Sequence, residues 1–553
     1  MKQLRSKPYL FDLIFLALGI GFAYFLCLGC YNLISPDESR YAEIAREMIT
    51  SKDFITPHLN YVLYFEKPIF FYWLQSIAGM VFGLSEWAMR FWTATLGILG
   101  CLIAYTAGRK FYNRRTGLYA AIILASSLLY FGMSHLITLD MTVSVLIASS
   151  LFFFQIGTLE ENNLKRRFFI WIAFGISALA VLTKGLIGIV FPMMIVGTWV
   201  LLLNKWREIK KWYLPSSILI FLLIALPWHI LLQLKQPSFF HFYFIEQQFS
   251  RYSTLSANRY EPFYFYINAI FIGLIPWSVF IIQSIKHNWF RWRNRKNNES
   301  TLFLFLTIIL ITLFFSISHS KLIPYILPVF PSLAILIGKY FADFQDNKTI
   351  GLRIGFVILP IIAILLTAFI INAPRYYPLA NPEFAYIHLR LFTTLISITM
   401  ISALCFYFYK NLKTAFTILT IGTLLSLIIL LPAISHIDHR SIKPLAVKIN
   451  QLKKSNDKIV SLYHYYQDLP FYTRGKVDVV ACASELDFGT QHQDTSKWIY
   501  MDINKLWQQW NKPKRIFAVT RLTDLQDIHQ KFPQLKIFEL AKTQRNVLIS
   551  NQQ

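Results

Sequence analysis

Two adjacent carboxylates, Asp37 and Glu38, follow Ser35-Pro36, and further on a second acid is joined to a base in Glu66-Lys67-Pro68. Asp140, Lys184, the run Glu246 to Arg251, and Lys321 with Tyr325 add groups of the same kinds, and Arg40 stands just beyond the first pair. Carboxylates in company with ammonium and guanidinium groups suit displacement at a phosphate ester. Cations stabilise charge as it develops on a departing phosphate, and a carboxylate can deprotonate an acceptor or orient a polar substrate. Each position also has a plain structural use. Ser35 can cap a helix, with Pro36 first in it and Glu38 as capping-box partner, which leaves Asp37 the freer acid to face a substrate. Asp140 can serve a helix dipole, Lys184 can snorkel to an interface, and Glu66-Lys67 can be a solvated pair.

The elements that must hold these residues follow from composition. Of 553 residues, 55% are hydrophobic and 15% charged, where soluble proteins carry roughly 25% charged residues. Such a chain is neither a soluble enzyme nor a disordered scaffold. Thirteen apolar runs between residues 10 and 434 have the length of a span. Every second connection is basic: the N-terminus, then Arg109 to Arg115, Lys165 to Arg167, Lys205 to Lys211, Arg291 to Lys296, Lys339 to Arg353, and Lys410 with Lys413. By the positive-inside rule the N-terminus is cytoplasmic and the C-terminus external. The net charge of +25 is thereby accounted for, and nucleic acid is not an expected partner. The five cysteines are scattered, with no metal-ligand spacing.

Two external connections, about 32–87 and 234–262, are long and aromatic. In the first, Tyr41, Ile44, Ala45, Met48 and Ile49 form one stripe with Arg40, Glu43, Arg46 and Glu47 mostly opposite, an amphipathic helix expected to lie along the membrane surface. The division is therefore a membrane domain, 1–436, and a small external α/β domain, 437–553, with strands expected at Lys458–Tyr463, Lys476–Cys482 and Arg515–Val519. All the chemistry-bearing residues fall at the outer ends of spans. A transporter would carry its charges near span centres. With no P-loop and no soluble nucleotide-sugar domain, a phosphate-linked donor is expected to arrive through the bilayer.

The stretch Pro36 to Glu43, Glu66-Lys67-Pro68, Arg90-Phe91, Thr183-Lys184-Gly185, Pro262 to Tyr266, Pro276-Trp277-Ser278 and Ser320 to Pro328 resemble the GT-C polyprenyl-phosphate-dependent glycosyltransferases, a protein mannosyltransferase-like superfamily. With Gln467 to Tyr472 and Glu485 to Gly489, the chain is most similar to the bacterial 4-amino-4-deoxy-L-arabinose lipid A transferases. The resemblance implies a mostly α, multi-pass inner-membrane protein. It implies an aminosugar moved with inversion from undecaprenyl phosphate to lipid A at the periplasmic leaflet. Transfer to a protein or another glycan, or a lipid-linked sugar flippase, are the alternatives. Asp37 is then the key acid, with Glu38 and Asp140 in the catalytic set. Lys67, Arg251, Tyr325 and Lys321 would hold the donor phosphate, and Arg40, Lys184 and Glu246 complete the site. Glu66 would approach a divalent metal, but Gln247 stands where relatives tend to have His, and an amide replaces imidazole poorly as a ligand.

Overall fold

The computed structural model describes residues 6–250, 261–346, 349–373, 381–409, 411–482 and 485–553. Among them ten helices are long and apolar enough to cross a bilayer, from Pro8–Phe25 to Leu412–Ile437. Two more spans are broken: Arg114–Ala125 meets Leu128–Ser134 at 66°, and Phe265–Gly273 meets Trp277–Asn288 at 110°. The total is up to twelve, so the thirteen expected are not reproduced. The remaining apolar run forms Ile187–Leu203, whose 17 residues sit at the lower limit for a span.

The breaks have a local cause and a tertiary remedy. Pro276 has no N–H to continue a helical ladder, and Ser127 leaves helical geometry at ψ 131°. The groups freed at the two breaks then meet. Leu128 N–H donates to the Ile275 carbonyl at 3.1 Å, and the Trp277 indole donates to Ser126 Oγ at 2.9 Å. Irregular backbone at this depth is tolerated only where protein satisfies it. The outside of the bundle is hydrocarbon: Leu10, Phe11, Ile14, Phe15, Leu18 and Phe22 of the first helix are all exposed, as lipid contact requires. This is a multi-pass membrane protein.

The first long connection, about 32–87, folds as the helix Asp37–Ser51, a hairpin of His58–Leu59 with Val62–Leu63, and the helix Phe70–Phe82. The apolar stripe of Asp37–Ser51 is buried as its spacing predicts, but the expectation of a wet polar face is corrected. Glu38, Glu43, Arg46 and Glu47 are buried too. Arg46 donates to both carboxylate oxygens of Glu43 at 2.7 and 2.6 Å, and Glu47 accepts the Tyr61 N–H at 2.8 Å. What covers this face is the C-terminal domain.

That domain holds a six-stranded sheet in the order Ile499–Tyr500, Asp478–Val480, Lys458–Leu462, Ile516–Arg521, Asn546–Ser550, Phe538–Lys542. The first four strands are parallel and the last two are antiparallel additions. Its Tyr465, Phe471 and Leu486 share one buried cluster with Leu33, Tyr41, Ile44 and Phe65 of the first connection. Asn60 exchanges two hydrogen bonds with the backbone of Val477, at 2.8 and 3.1 Å, and Leu63 N–H donates to Gln493 at 2.9 Å.

Candidate active site

The two adjacent acids part company at the start of their helix. Glu38 is buried, and Arg90 grips both its oxygens, Nε at 2.9 Å and Nη2 at 2.6 Å. The same carboxylate accepts the N–H groups of Ile34 at 2.8 Å and Ile137 at 2.9 Å. Arg90 in turn donates to the carbonyls of Leu28, Tyr31 and Asn32 and lies 3.7 Å from the Tyr31 ring centroid. The expected capping box is absent: Pro36 occupies the cap position without a side-chain bond, and Ser35 Oγ faces Gln467 Oε1 at 3.5 Å. A buried guanidinium demands a carboxylate far more strongly than an exposed helix end does. Glu38, expected among the catalytic acids, ties the end of the first span, the Asp37–Ser51 helix, the Glu86–Phe111 helix and the turn before Asp140 into one unit.

Asp37 faces the other way, its side chain 66% exposed and 3.4 Å from Arg40. Arg40 Nε lies 2.7 Å from Glu485 of the C-terminal domain, whose other oxygen accepts from Gln467 at 2.9 Å. Burial pushes the Glu485 carboxyl up, while Arg40 and Gln467 oppose the shift. Three buried phenols, Tyr41, Tyr64 and Tyr72, stand beside these charges. Burial raises all three, and Arg40, Asp37, Asp140 and Glu66 all act on Tyr41 electrostatically. The Tyr72 hydroxyl has no hydrogen-bond partner among the described residues. Arg90, Glu485 and the phenols were absent from the expected site residues, although Arg90 and Glu485 lie in the stretches that carry the family resemblance.

Asp140 opens the Leu139–Leu159 helix and forms an ion pair with Lys184 at the end of the Asn163–Lys184 helix. The Lys184 ammonium lies 4.3 Å from the Tyr325 ring centroid. Three separately expected residues are thus in contact. Lys321 is buried and donates to the Glu261 carbonyl at 2.8 Å, while Leu322 N–H donates to the Tyr266 hydroxyl at 3.2 Å. Half-buried Lys67 donates to the Glu66 carbonyl at 3.0 Å, just before the Phe70–Phe82 helix. Glu246 is exposed and pairs with His241 at 3.3 Å. Arg251 lies outside the described residues. Among the described residues no group of three His, Cys, Asp or Glu side chains converges to hold a metal ion.

A helical membrane body, a C-terminal α/β domain docked on its first long connection, and acids, cations and phenols gathered near that contact define the GT-C class of membrane protein. Residues 16–243 match the family described as dolichyl-phosphate-mannose-protein mannosyltransferase, and residues 445–551 match the aminoarabinose transferase C-terminal domain. The undecaprenyl phosphate-alpha-4-amino-4-deoxy-L-arabinose arabinosyl transferase 2 of Proteus mirabilis is 31% identical over 387 residues, 68% of this chain and 69% of that one. The chain belongs to that family. The corresponding transferase of Aeromonas hydrophila is 32% identical over 355 residues, and the match spans 62% of this chain and 64% of that relative's length. The crystal structure of ArnT from Cupriavidus metallidurans bound to undecaprenyl phosphate superposes with a TM-score of 0.84 at 24% identity, over 97% of each chain, which shows the shared fold.

Proposed function

We propose that this chain transfers an aminosugar, 4-amino-4-deoxy-L-arabinose, from undecaprenyl phosphate to a phosphate of lipid A. An acceptor phosphate oxygen bonds to the anomeric carbon as the bond to the lipid phosphate breaks, with inversion, and undecaprenyl phosphate departs. The N-terminus is cytoplasmic, and residues 437–553 form the periplasmic domain after a membrane domain of 1–436. The observation that carries the reading is a connected set of charges: Asp37 and Glu485 flank Arg40, the Asp140 and Glu66 carboxylates act with them on Tyr41, and Asp140 pairs with Lys184, which lies against the Tyr325 ring.

Roles follow from chemistry. Lys67, Lys321, Arg251 and Tyr325 are the groups to meet the donor phosphate, since charge grows there as the bond breaks. Lys184 is held between Asp140 and the Tyr325 ring, which orients the phenol and the ammonium together. An acceptor phosphate is already ionised at neutral pH, so Asp37 has little proton to remove. Its exposed carboxylate is suited to pairing with the sugar's ammonium or to positioning the acceptor. Were the acceptor a hydroxyl of protein or glycan, Asp37 would serve as base. Glu246 is a peripheral member of the set, and Glu38 a positioning residue. The charges collect at one end of the helices, which supports transfer over transport.

Mass spectrometry of lipid A from cells with and without the protein tests the proposal. The expected result is an aminosugar-bearing phosphate only when the protein is present; an unchanged profile overturns it.

A further inference from the structure

A cavity of about 1050 Å³ opens at the other end of the helical body. The helix Glu86–Phe111 carries Arg90 near one end and Arg109 to Phe111, which line the cavity, at the other. The helix Leu139–Leu159 likewise runs from Asp140 to Leu159 on the cavity wall. At about 1.5 Å per residue the two sites stand roughly 30 Å apart, a bilayer's hydrocarbon thickness.

The wall is cationic. Arg109, Lys110, Lys165, Lys296 and Lys339 face two carboxylates, Glu160 and Glu299. Those two are already matched, Glu160 by Lys110 and Glu299 by Lys205. Arg109 shares the single carboxylate of Asp12 with Arg114, and Lys339 shares Asp343 with His287. Lys165 and Lys296 are exposed and have no ion-pair partner among the described residues. At the lip, Trp289 is 71% exposed, as an indole is at headgroup depth.

We propose that this cavity binds the glycerophosphate headgroup of an anionic phospholipid in the leaflet opposite the transfer site. Lys165 and Lys296 supply the uncompensated charge for the phosphate. Basic pockets between helices at membrane surfaces recognise anionic headgroups in this way. The exposed Trp289 indole at the lip favours a lipid over a soluble phosphate, because it holds the mouth at the interface. The inference is independent of the transfer reaction.

The test uses the full chain in nanodiscs of phosphatidylcholine with a minor share of phosphatidylglycerol, followed by native mass spectrometry of the lipids retained. Wild type should retain phosphatidylglycerol over phosphatidylcholine by about tenfold. The exposed-site double variant Lys165→Ala/Lys296→Ala should lose that preference at unchanged Tm, and Lys165→Arg/Lys296→Arg should keep most of it. Equal retention of the two lipids by wild type, or an unchanged preference in the alanine variant, overturns the site. In a second arm sn-glycerol 3-phosphate is titrated onto protein in phosphatidylcholine alone. Saturable binding there, without a phosphatidylglycerol preference in the first arm, would overturn the lipid as occupant; no binding supports it.

Discussion

Asp37 presents an exposed carboxylate 3.4 Å from Arg40, while its neighbour Glu38 is buried against Arg90 and two backbone N–H groups. Substitution should separate them by different measurements. Asp37→Asn should abolish transfer and leave Tm within a degree or two, since nothing buried loses its partner. Glu38→Gln leaves a buried guanidinium without its counter-charge, which costs about 3–5 kcal/mol. Its signature is a large fall in Tm and in the yield of folded protein, measured by thermal unfolding in detergent. Equal stability of the two variants would remove the positioning role assigned to Glu38. Lys67 has a third signature. If it meets the donor phosphate, Lys67→Ala loses a charge-assisted hydrogen bond worth about 1.5–3 kcal/mol, roughly tenfold to hundredfold in rate. Lys67→Arg should recover part of that, incompletely, because a planar fork is not a point charge. Transfer rates on the purified variants decide, and a wild-type rate for Lys67→Ala would reject the role.

At the scale of elements, the external domain reaches the site through a short helix, Asp487–His492, laid against the hairpin. A Cβ on Gly489 would stand 2.1 Å from Val62 Cγ1 and 2.6 Å from the Leu63 carbonyl oxygen, so backbone must move. Gly489→Ala should cost about 1–3 kcal/mol and weaken transfer, since Glu485 four residues earlier partners Arg40. Easier proteolytic release of the external domain, seen on a gel, would accompany it. The helix Asp468–Thr473 adds a pH dependence. Burial pushes the Asp468 carboxyl up to about 7, against the bonds it accepts from Ile442 N–H and Ser441. A folded-state value above the unfolded one means the protonated acid is favoured in the native state. Its contribution is full below about pH 4 and is lost as pH rises through 7. Tm should therefore fall between pH 5 and 8, and Asp468→Asn should flatten that slope; a slope unchanged in the variant assigns the dependence elsewhere.

At the scale of the whole molecule, the basic connections and the acid-rich site lie at opposite ends of the same helices, and a bilayer between them makes the asymmetry functional. A reporter active only in the cytoplasm, fused after Gln553, should be silent; activity would reverse the orientation and place the site on the wrong leaflet. The two bent spans also matter at this scale. Because Leu128 N–H and the Ile275 carbonyl satisfy each other, the breaks are a joint feature of two spans, not separate defects.

Much of this was legible in one dimension. Lipid admits only hydrocarbon and internally bonded backbone, so apolar runs mark the membrane-spanning body whatever the tertiary packing. The C-terminal domain and its first strands were legible for a similar reason, since alternation and the end of apolar runs are local signals. The bends were not, because a window of hydropathy passes straight over Pro276 and Ser127. Nor were the partners. The Glu38 side chain had two uses open to it, and Arg90, 52 positions away, chose between them. Glu485 meets Arg40, and Lys184 meets Asp140 and Tyr325, across separations that no periodicity encodes. Residue types and apolar spans are properties of the chain; which acid is buried, which is exposed and which cation faces it are decided by how the helices and the C-terminal domain pack.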